Sequence, residues 1–243
     1  MSCPLCFETG FVDIGEKNGY KLVTCSSCGF IYVNPMPTTM QLEDVYKDYR
    51  QTKRYLKKLR KKIFTSTFKL KRLKRHQKIS GKEFLDVGCS IGATVEAAHR
   101  LGYQSMGIDL DKPVVTRAQK MFPHIEFNSI TTELLVKNKR TFDFIYCAEV
   151  IEHVPNPRQF VKTLTDLMNE NALLYITTPD AGHRRVPKNF VNWNRVTPPE
   201  HICYFSRTTM QKVLEESGLT VIKFYWSHRA NLRVLCYKTQ ILI

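Results

Sequence analysis

Residues 84–92 read Phe84-Leu85-Asp86-Val87-Gly88-Cys89-Ser90-Ile91-Gly92, an apolar run that ends in a turn of small residues. A buried strand entering such a turn and reopening as a helix brings unpaired backbone N–H groups to one point, where a ligand can approach the chain closely. The glycines are four apart and an aspartate stands two residues before the first, so the GxGxxG fingerprint of nicotinamide binding is not met. Downstream, Gly107-Ile108-Asp109-Leu110-Asp111 closes the next apolar segment about twenty residues on. A carboxylate is acceptor-only, so Asp109 suits the two hydroxyls of a ribose, while Asp111 is read as a surface or helix-capping residue.

From Lys82 onward, short apolar runs alternate with helical stretches, which is the pattern of a parallel sheet with crossover helices. The strands are expected at 83–87, 105–108, 124–128, 142–147 and 172–177, and the helices at 92–101, 113–121 and 156–169. Residues 181–204 form an insert rich in Arg, Pro, His and aromatics. Ser206 caps a helix that Gly218 stops, and strands at 219–227 and 232–242 pair antiparallel.

A third segment, Phe142-Asp143-Phe144-Ile145-Tyr146-Cys147-Ala148-Glu149-Val150-Ile151-Glu152-His153-Val154, completes a set. DVGCSIG, GIDLD and FDFIYCAEVIEHV, in this order and spacing, resemble the class I methyltransferases close to the ubiquinone-biosynthesis type branch, over roughly residues 82–225. The resemblance implies a Rossmann-like, doubly wound, mostly parallel seven-stranded sheet with a C-terminal antiparallel hairpin, and S-adenosylmethionine as cofactor. By it, Asp86, Gly88, Cys89 and Gly92 surround the methionine portion of the cofactor, Asp109 holds the ribose, and Leu110 lies beside the adenine. Ser129 and Ile130 flank the adenine edge, and Cys147 and Ala148 line the floor. Two positions depart from the family pattern: Ser90 stands where glycine is common, and Asn128-Ser129 replaces the common Gly-Asp.

Methyl transfer is an in-line displacement that needs alignment and exclusion of water, and a base only where the acceptor must lose a proton. Candidates are Glu149, Glu152 and His153 after the fourth strand, and His183, Trp193, Glu200, His201 and Tyr204 in the insert. These lie at carboxyl ends of strands, where open α/β sheets bind ligands. His201, His153, Glu149 and Tyr204 are the catalytic candidates, with His201 in Pro198-Pro199-Glu200-His201-Ile202-Cys203-Tyr204-Phe205, similar to a family segment lining the acceptor pocket. Arg184 and Arg185 could grip a phosphate or carboxylate.

Ahead of this domain, Cys3-Pro-Leu-Cys6 and Cys25-Ser-Ser-Cys28 have the spacing of a four-cysteine zinc ribbon with a closed, structural site. The other cysteines, 89, 147, 203 and 236, are scattered and read as core thiols. These N-terminal cysteines with CGFIYVNPMP resemble methyltransferases of sugar and secondary metabolism that carry a zinc module, which implies glycan or sugar-nucleotide acceptors. The expected organisation is a zinc ribbon at 1–37, a basic helical linker at 38–80 and a cofactor domain at 81–243.

The net charge is +15, and Lys53 to Lys82 holds fourteen Lys or Arg with no acid. Tyr49, Leu56, Leu59, Ile63, Leu70 and Leu73 recur there at helical spacing, which predicts one or two amphipathic helices with a wet basic face. Such a segment invites nucleic acid through residues 53–82, so an RNA methyltransferase is the second reading and a non-catalytic zinc-ribbon scaffold the third. With 243 residues, 43% hydrophobic, no long uncharged apolar run and no signal-peptide pattern, the chain reads as a cytoplasmic globular protein.

Overall fold

A computed structural model of the chain describes residues 2–38, 41, 58–77 and 80–239. Two sheets organise it. The larger has seven strands: β4 (Glu83–Val87), β5 (Gln104–Ile108), β6 (Glu126–Asn128), β7 (Phe142–Ala148), β8 (Met168–Pro179), β10 (Leu219–Phe224) and β11 (Asn231–Lys238), in the order β10-β11-β8-β7-β4-β5-β6. Strands β4 to β8 run parallel, whereas β11 is antiparallel to both β8 and β10. The chain starts at the centre with β4, steps outward through β5 and β6, then returns to the other side of β4 with β7. That reversal opens a crevice at the carboxyl ends of the central strands, where neighbouring loops diverge. The expected Rossmann-like sheet and its terminal hairpin are both present.

Six helices complete the described chain: α1 (Leu59–Lys74), α2 (Ala93–His99), α3 (Lys112–Met121), α4 (Thr132–Lys137), α5 (Pro157–Asp166) and α6 (Arg207–Glu216). Their starts follow local chemistry. Asp111 accepts a hydrogen bond from the Val114 amide, Asn156 from Gln159 and Ser206 from Thr209, each occupying a donor that the first helical turn leaves unpaired. Helix α4 was not expected; Thr131 caps it in the same way.

Some boundaries differ from the sequence reading. Helix α5 ends at Asp166, not Asn169, because the chain then enters β8 at Met168, which pairs with Phe142, and Asn169 donates to the Asp143 carboxylate at 2.8 Å. Strand β10 stops at Phe224, and β11 is described to Lys238; Leu242 lies outside the described residues. In the basic segment, Ile63, Leu70 and Leu73 of α1 are buried as the stripe requires, but Tyr49, Leu56, Lys53 and Lys78 lie outside the described residues. Its outer face is not purely basic, since Phe64 and Phe68 are exposed and meet edge to face at 4.7 Å between ring centres.

The second sheet is antiparallel and joins β1 (Phe11–Lys17), β2 (Tyr20–Cys25) and β3 (Ile31–Val33) to β9 (Cys203–Tyr204). Three strands come from the cysteine-bearing segment and the fourth from the far insert. Leu5, Phe30, Tyr32 and Val33 lie in the same buried cluster as Ile151, Ile202 and Phe205, with the Phe30 and Phe205 rings 4.9 Å apart. No helix among the described residues is long and apolar enough to cross a membrane.

Candidate active site

The tip of β4 is a chain of backbone conformations that only small residues fill cheaply. Gly88 and Gly92 have φ of 74° and 80°, and a Cβ added there would stand 2.4 Å from Val150 Cγ2 and 2.6 Å from Phe127 Cζ, respectively. The turn thus needs glycine for its own packing, before any ligand arrives. Ser90 also sits in the left-handed region, at φ 50°, which costs an L-residue about 1–2 kcal/mol. Its amide donates to Asp109 Oδ2 at 2.9 Å, and the Asp111 amide donates to Oδ1 at 3.0 Å. Asp109 therefore bridges the β4 turn and the tip of β5, and each oxygen retains acceptor capacity toward the crevice.

The charge environment is unusual. Burial, then the nearby Asp109, raises the Asp86 carboxyl well above the ordinary range, opposed by Lys69. Asp109 is also raised by burial, against the amides that bind it. Cys89 and Cys147 are buried and held as neutral thiols, burial being the first cause for both. Leu110 is exposed, Ser129 donates to its carbonyl at 3.2 Å, and Ile130 and Ala148 are half-buried, so the residues expected around the cofactor all lie at or next to the ends of β4, β5, β6 and β7.

The acceptor-side candidates form a second group. Glu149 has φ 56°, a strained state for a non-glycine residue; such strain persists where the surroundings enforce it. Its Oε1 accepts from Thr177 Oγ1 at 3.2 Å, and Arg195 approaches Oε2 at 3.8 Å. His153 Nδ1 donates to the Glu200 carbonyl at 2.7 Å and His201 Nδ1 to the Arg195 carbonyl at 2.8 Å, with ring centres 4.9 Å apart. A carbonyl only accepts, so both rings carry their proton on Nδ1 and keep an Nε2 lone pair. Burial lowers the pKa of both, that of His201 to about 3 with His153 adding to the effect.

Glu152 is fully buried between them. Its Oε2 accepts from Thr178 Oγ1 at 2.9 Å, while Oε1 has no partner among the described residues. Burial, then repulsion from Glu149, pushes its carboxyl up to about 8. Donor atoms of Glu152, His153 and His201 lie within 4.8 Å of one another, a cluster of titratable groups with no direct hydrogen bond between their side chains among the described residues. The Tyr204 hydroxyl is spent on the His201 carbonyl at 2.7 Å, and burial raises its pKa, so it can position His201 but does not present a free base. His183 lies in the turn after Asp180, and Trp193 packs in a separate buried cluster with Leu22 and Tyr204. Arg184 and Arg185 are exposed or nearly so in that turn.

Lys69 is the residue that sequence reasoning missed. It belongs to the basic run, yet its ammonium donates to the Tyr146 hydroxyl at 2.8 Å and interacts with Asp86 and Glu149. Lys69 is exposed like its neighbours on α1, and only its phase, one position before the buried Leu70, brings its ammonium to Tyr146.

At the N-terminus, the sulfurs of Cys3 and Cys28 are 3.8 Å apart and those of Cys6 and Cys25 3.5 Å, with all four within 4.8 Å of one another. A tetrahedron with Zn–S near ~2.3 Å has edges of about 3.8 Å, so the donor set fits a structural zinc ion. Burial lifts Cys3 to about 11, whereas at Cys25 the same burial is outweighed by amide hydrogen bonds from Cys28 and Ser27, leaving it at about 7.

Comparison with known proteins agrees with this geometry. Ubiquinone biosynthesis O-methyltransferase of Albidiferax ferrireducens is 32% identical over 119 residues, covering 46% of this chain and 46% of that protein. The same enzyme from Acinetobacter baylyi is 25% identical over 171 residues, covering 61% and 72%. The chain spans about half the length of most such curated relatives. Among solved structures, magnesium protoporphyrin IX methyltransferase from Synechocystis with bound SAH superposes with a TM-score of 0.58 at 14% identity, covering 84% of this chain and 96% of that one. A SAM-dependent methyltransferase from Archaeoglobus fulgidus gives 0.58 at 15%, covering 72% and 94%. At such identities the structures establish the fold alone. The model of the methyltransferase domain matches residues 49–223, which is most of the chain, and the protein therefore belongs to the methyltransferase domain family.

Proposed function

We propose that this protein transfers a methyl group from S-adenosylmethionine to a small-molecule acceptor, of glycan or sugar-nucleotide type, and that a zinc ion held by Cys3, Cys6, Cys25 and Cys28 shapes its N-terminal sheet. The observation that carries the reading is the Asp109 carboxylate, fixed by the Ser90 and Asp111 amides at the point where the strand order reverses. A carboxylate immobilised in this way accepts the hydroxyls of a ribose without first having to be ordered. The similarity to ubiquinone biosynthesis O-methyltransferases supports the same chemistry, and the solved methyltransferases share the fold.

The cofactor, when bound, supplies an electrophilic methyl group on a sulfonium. Asp109 holds its ribose, and Gly88, Cys89 and Gly92 keep the turn close enough for backbone contact. Lys69 opposes the upward shift of the buried Asp86 carboxyl beside the β4 tip. Cys147 and Ala148 form the floor. On the acceptor side, Glu149, held by Thr177, orients the nucleophile, and His153 with its free Nε2 takes a proton where the acceptor carries one. His201 is a weaker base, so it serves His153 as neighbour and spacer. The closed four-thiol set leaves zinc no open position for substrate, which makes the ribbon a structural part.

Calorimetric titration with S-adenosylmethionine tests the cofactor assignment: saturable one-to-one binding supports it, and no binding refutes it. Profiling a cell extract with labelled S-adenosylmethionine then identifies the methylated product. Label on RNA, together with steep salt dependence, would transfer the assignment to a nucleic-acid enzyme.

A further inference from the structure

On the face of the large sheet covered by α1, a polar row runs outward from the β4 tip. Tyr146 of β7 and Tyr175 of β8 are paired across the strands with ring centres 5.3 Å apart, and Tyr225, just beyond β10, stands 6.3 Å from Tyr175. Besides Lys223, whose ammonium lies 5.6 Å from the Tyr225 ring centre, three cations face this row. Lys69 bonds Tyr146, the Arg72 guanidinium lies 5.1 Å from the Tyr225 ring centre, and Arg233 of β11, opposite Thr177, stands two residues along the strand from Leu235, the partner of Tyr175, on the same face. None of the three makes an ion pair within 4.0 Å among the described residues. Glu149 and Asp86 contribute longer-range attraction only. Lys69 and Arg233 therefore repel each other without an ion pair among the described residues, and the Tyr225 hydroxyl is buried with no hydrogen-bond partner among them. A buried donor left unmade is costly, and so is a group of like charges, unless something binds there.

We propose that the seam between α1 and the β10–β11 hairpin is an anion subsite, built from Lys69, Arg72, Arg233 and Tyr225, which receives a phosphate or diphosphate of the acceptor. The inference rests on the methyltransferase reading for its role but not for its existence. A phosphate has the charge to offset three cations and enough oxygens to accept from guanidinium, ammonium and phenol donors together; a single carboxylate leaves the cluster mostly uncompensated. The row begins beside the cofactor floor at Tyr146 and Cys147, so an anchored phosphate holds the rest of the acceptor toward the crevice.

The test is calorimetric titration of the full chain with inorganic diphosphate, with and without saturating SAH. One-to-one binding is expected, weakened about tenfold or more in Arg233→Gln and in Arg72→Gln, with SAH affinity unchanged. Lys61→Gln, on the outer face of α1, should leave diphosphate binding as it was. Arg72 is exposed, so its variant folds even if Arg233→Gln does not. The proposal is overturned if diphosphate fails to bind, if Lys61→Gln weakens it as much as Arg72→Gln does, or if acetate binds as tightly. Loss of SAH binding with diphosphate binding intact would sink the cofactor assignment and leave the subsite standing.

Discussion

The Val33 amide donates to the Ile202 carbonyl at 2.9 Å, and the Ile202 amide donates to the Glu152 carbonyl at 2.9 Å. Ile202 thus links the cysteine-bearing sheet to the loop that carries Glu152 and His153, beside Cys203, whose thiol bonds the Val154 carbonyl. His201 stands directly before that link, and the Tyr32–Cys203 pairing directly follows it.

Metal removal should therefore act on the acceptor side first. Chelation, or Cys25→Ser, is expected to increase hydrogen exchange at the Val33 and Ile202 amides while SAH affinity changes by less than about threefold, because the Asp109 bridge lies on other strands. Mass-spectrometric exchange alongside titration reads both. Equal loss of cofactor affinity would show that the two sheets fold as one cooperative unit.

Asp109→Asn keeps the side-chain volume but replaces one acceptor oxygen by a donor that faces an amide. A charged hydrogen bond is worth about 1.5–3 kcal/mol, so SAH affinity should fall roughly ten- to hundredfold. The far-ultraviolet dichroism spectrum should stay native; retained affinity would remove Asp109 from the ribose contact.

Gly92→Ala must accept a left-handed backbone and a Cβ 2.6 Å from the Phe127 ring. The two costs together predict destabilisation of about 2–4 kcal/mol in urea unfolding. A change below the measurement error would mean that the turn relaxes freely.

Stability should have a defined pH profile. Glu152 is raised from an ordinary value near 4.5 to about 8, so between those values the unfolded chain has lost a proton that the native protein keeps, and stability falls as pH rises. His201 is lowered from 6.5 to about 3, so between those values the unfolded chain holds a proton that the native protein lacks, and stability grows as pH rises. The two oppose each other from about 4.5 to 6.5. The Glu152 decline is then no longer opposed by His201 from 6.5 to 8, and contributes at up to about 1.4 kcal/mol per unit. Glu152→Gln is expected to remove its share of that decline in denaturant titrations at successive pH values; an unchanged slope would mean that another group binds the proton.

Much of this was legible in the residue order, because it depends on local chemistry. The β4 run and its small-residue turn, the caps at Asp111 and Ser206, and the paired cysteines each specify their conformation within a few neighbours. Asp109 could be singled out because a strand and its crossover helix have a nearly fixed length. The roles of other residues depended on partners far along the chain. Cys203 and Tyr204 form a strand only because Tyr32 and Ile31 offer an edge, β8 begins at Met168 because Phe142 pairs with it, and the Lys69 ammonium finds a partner because the Tyr146 hydroxyl lies within its reach. The sequence by itself determined most elements of the large sheet, the sheet class and the small-residue turn after β4. Only the tertiary structure decided which distant edges met, because such contacts are selected by the shape and hydrogen-bonding demand of the assembled core and leave no periodic trace in the segments that make them.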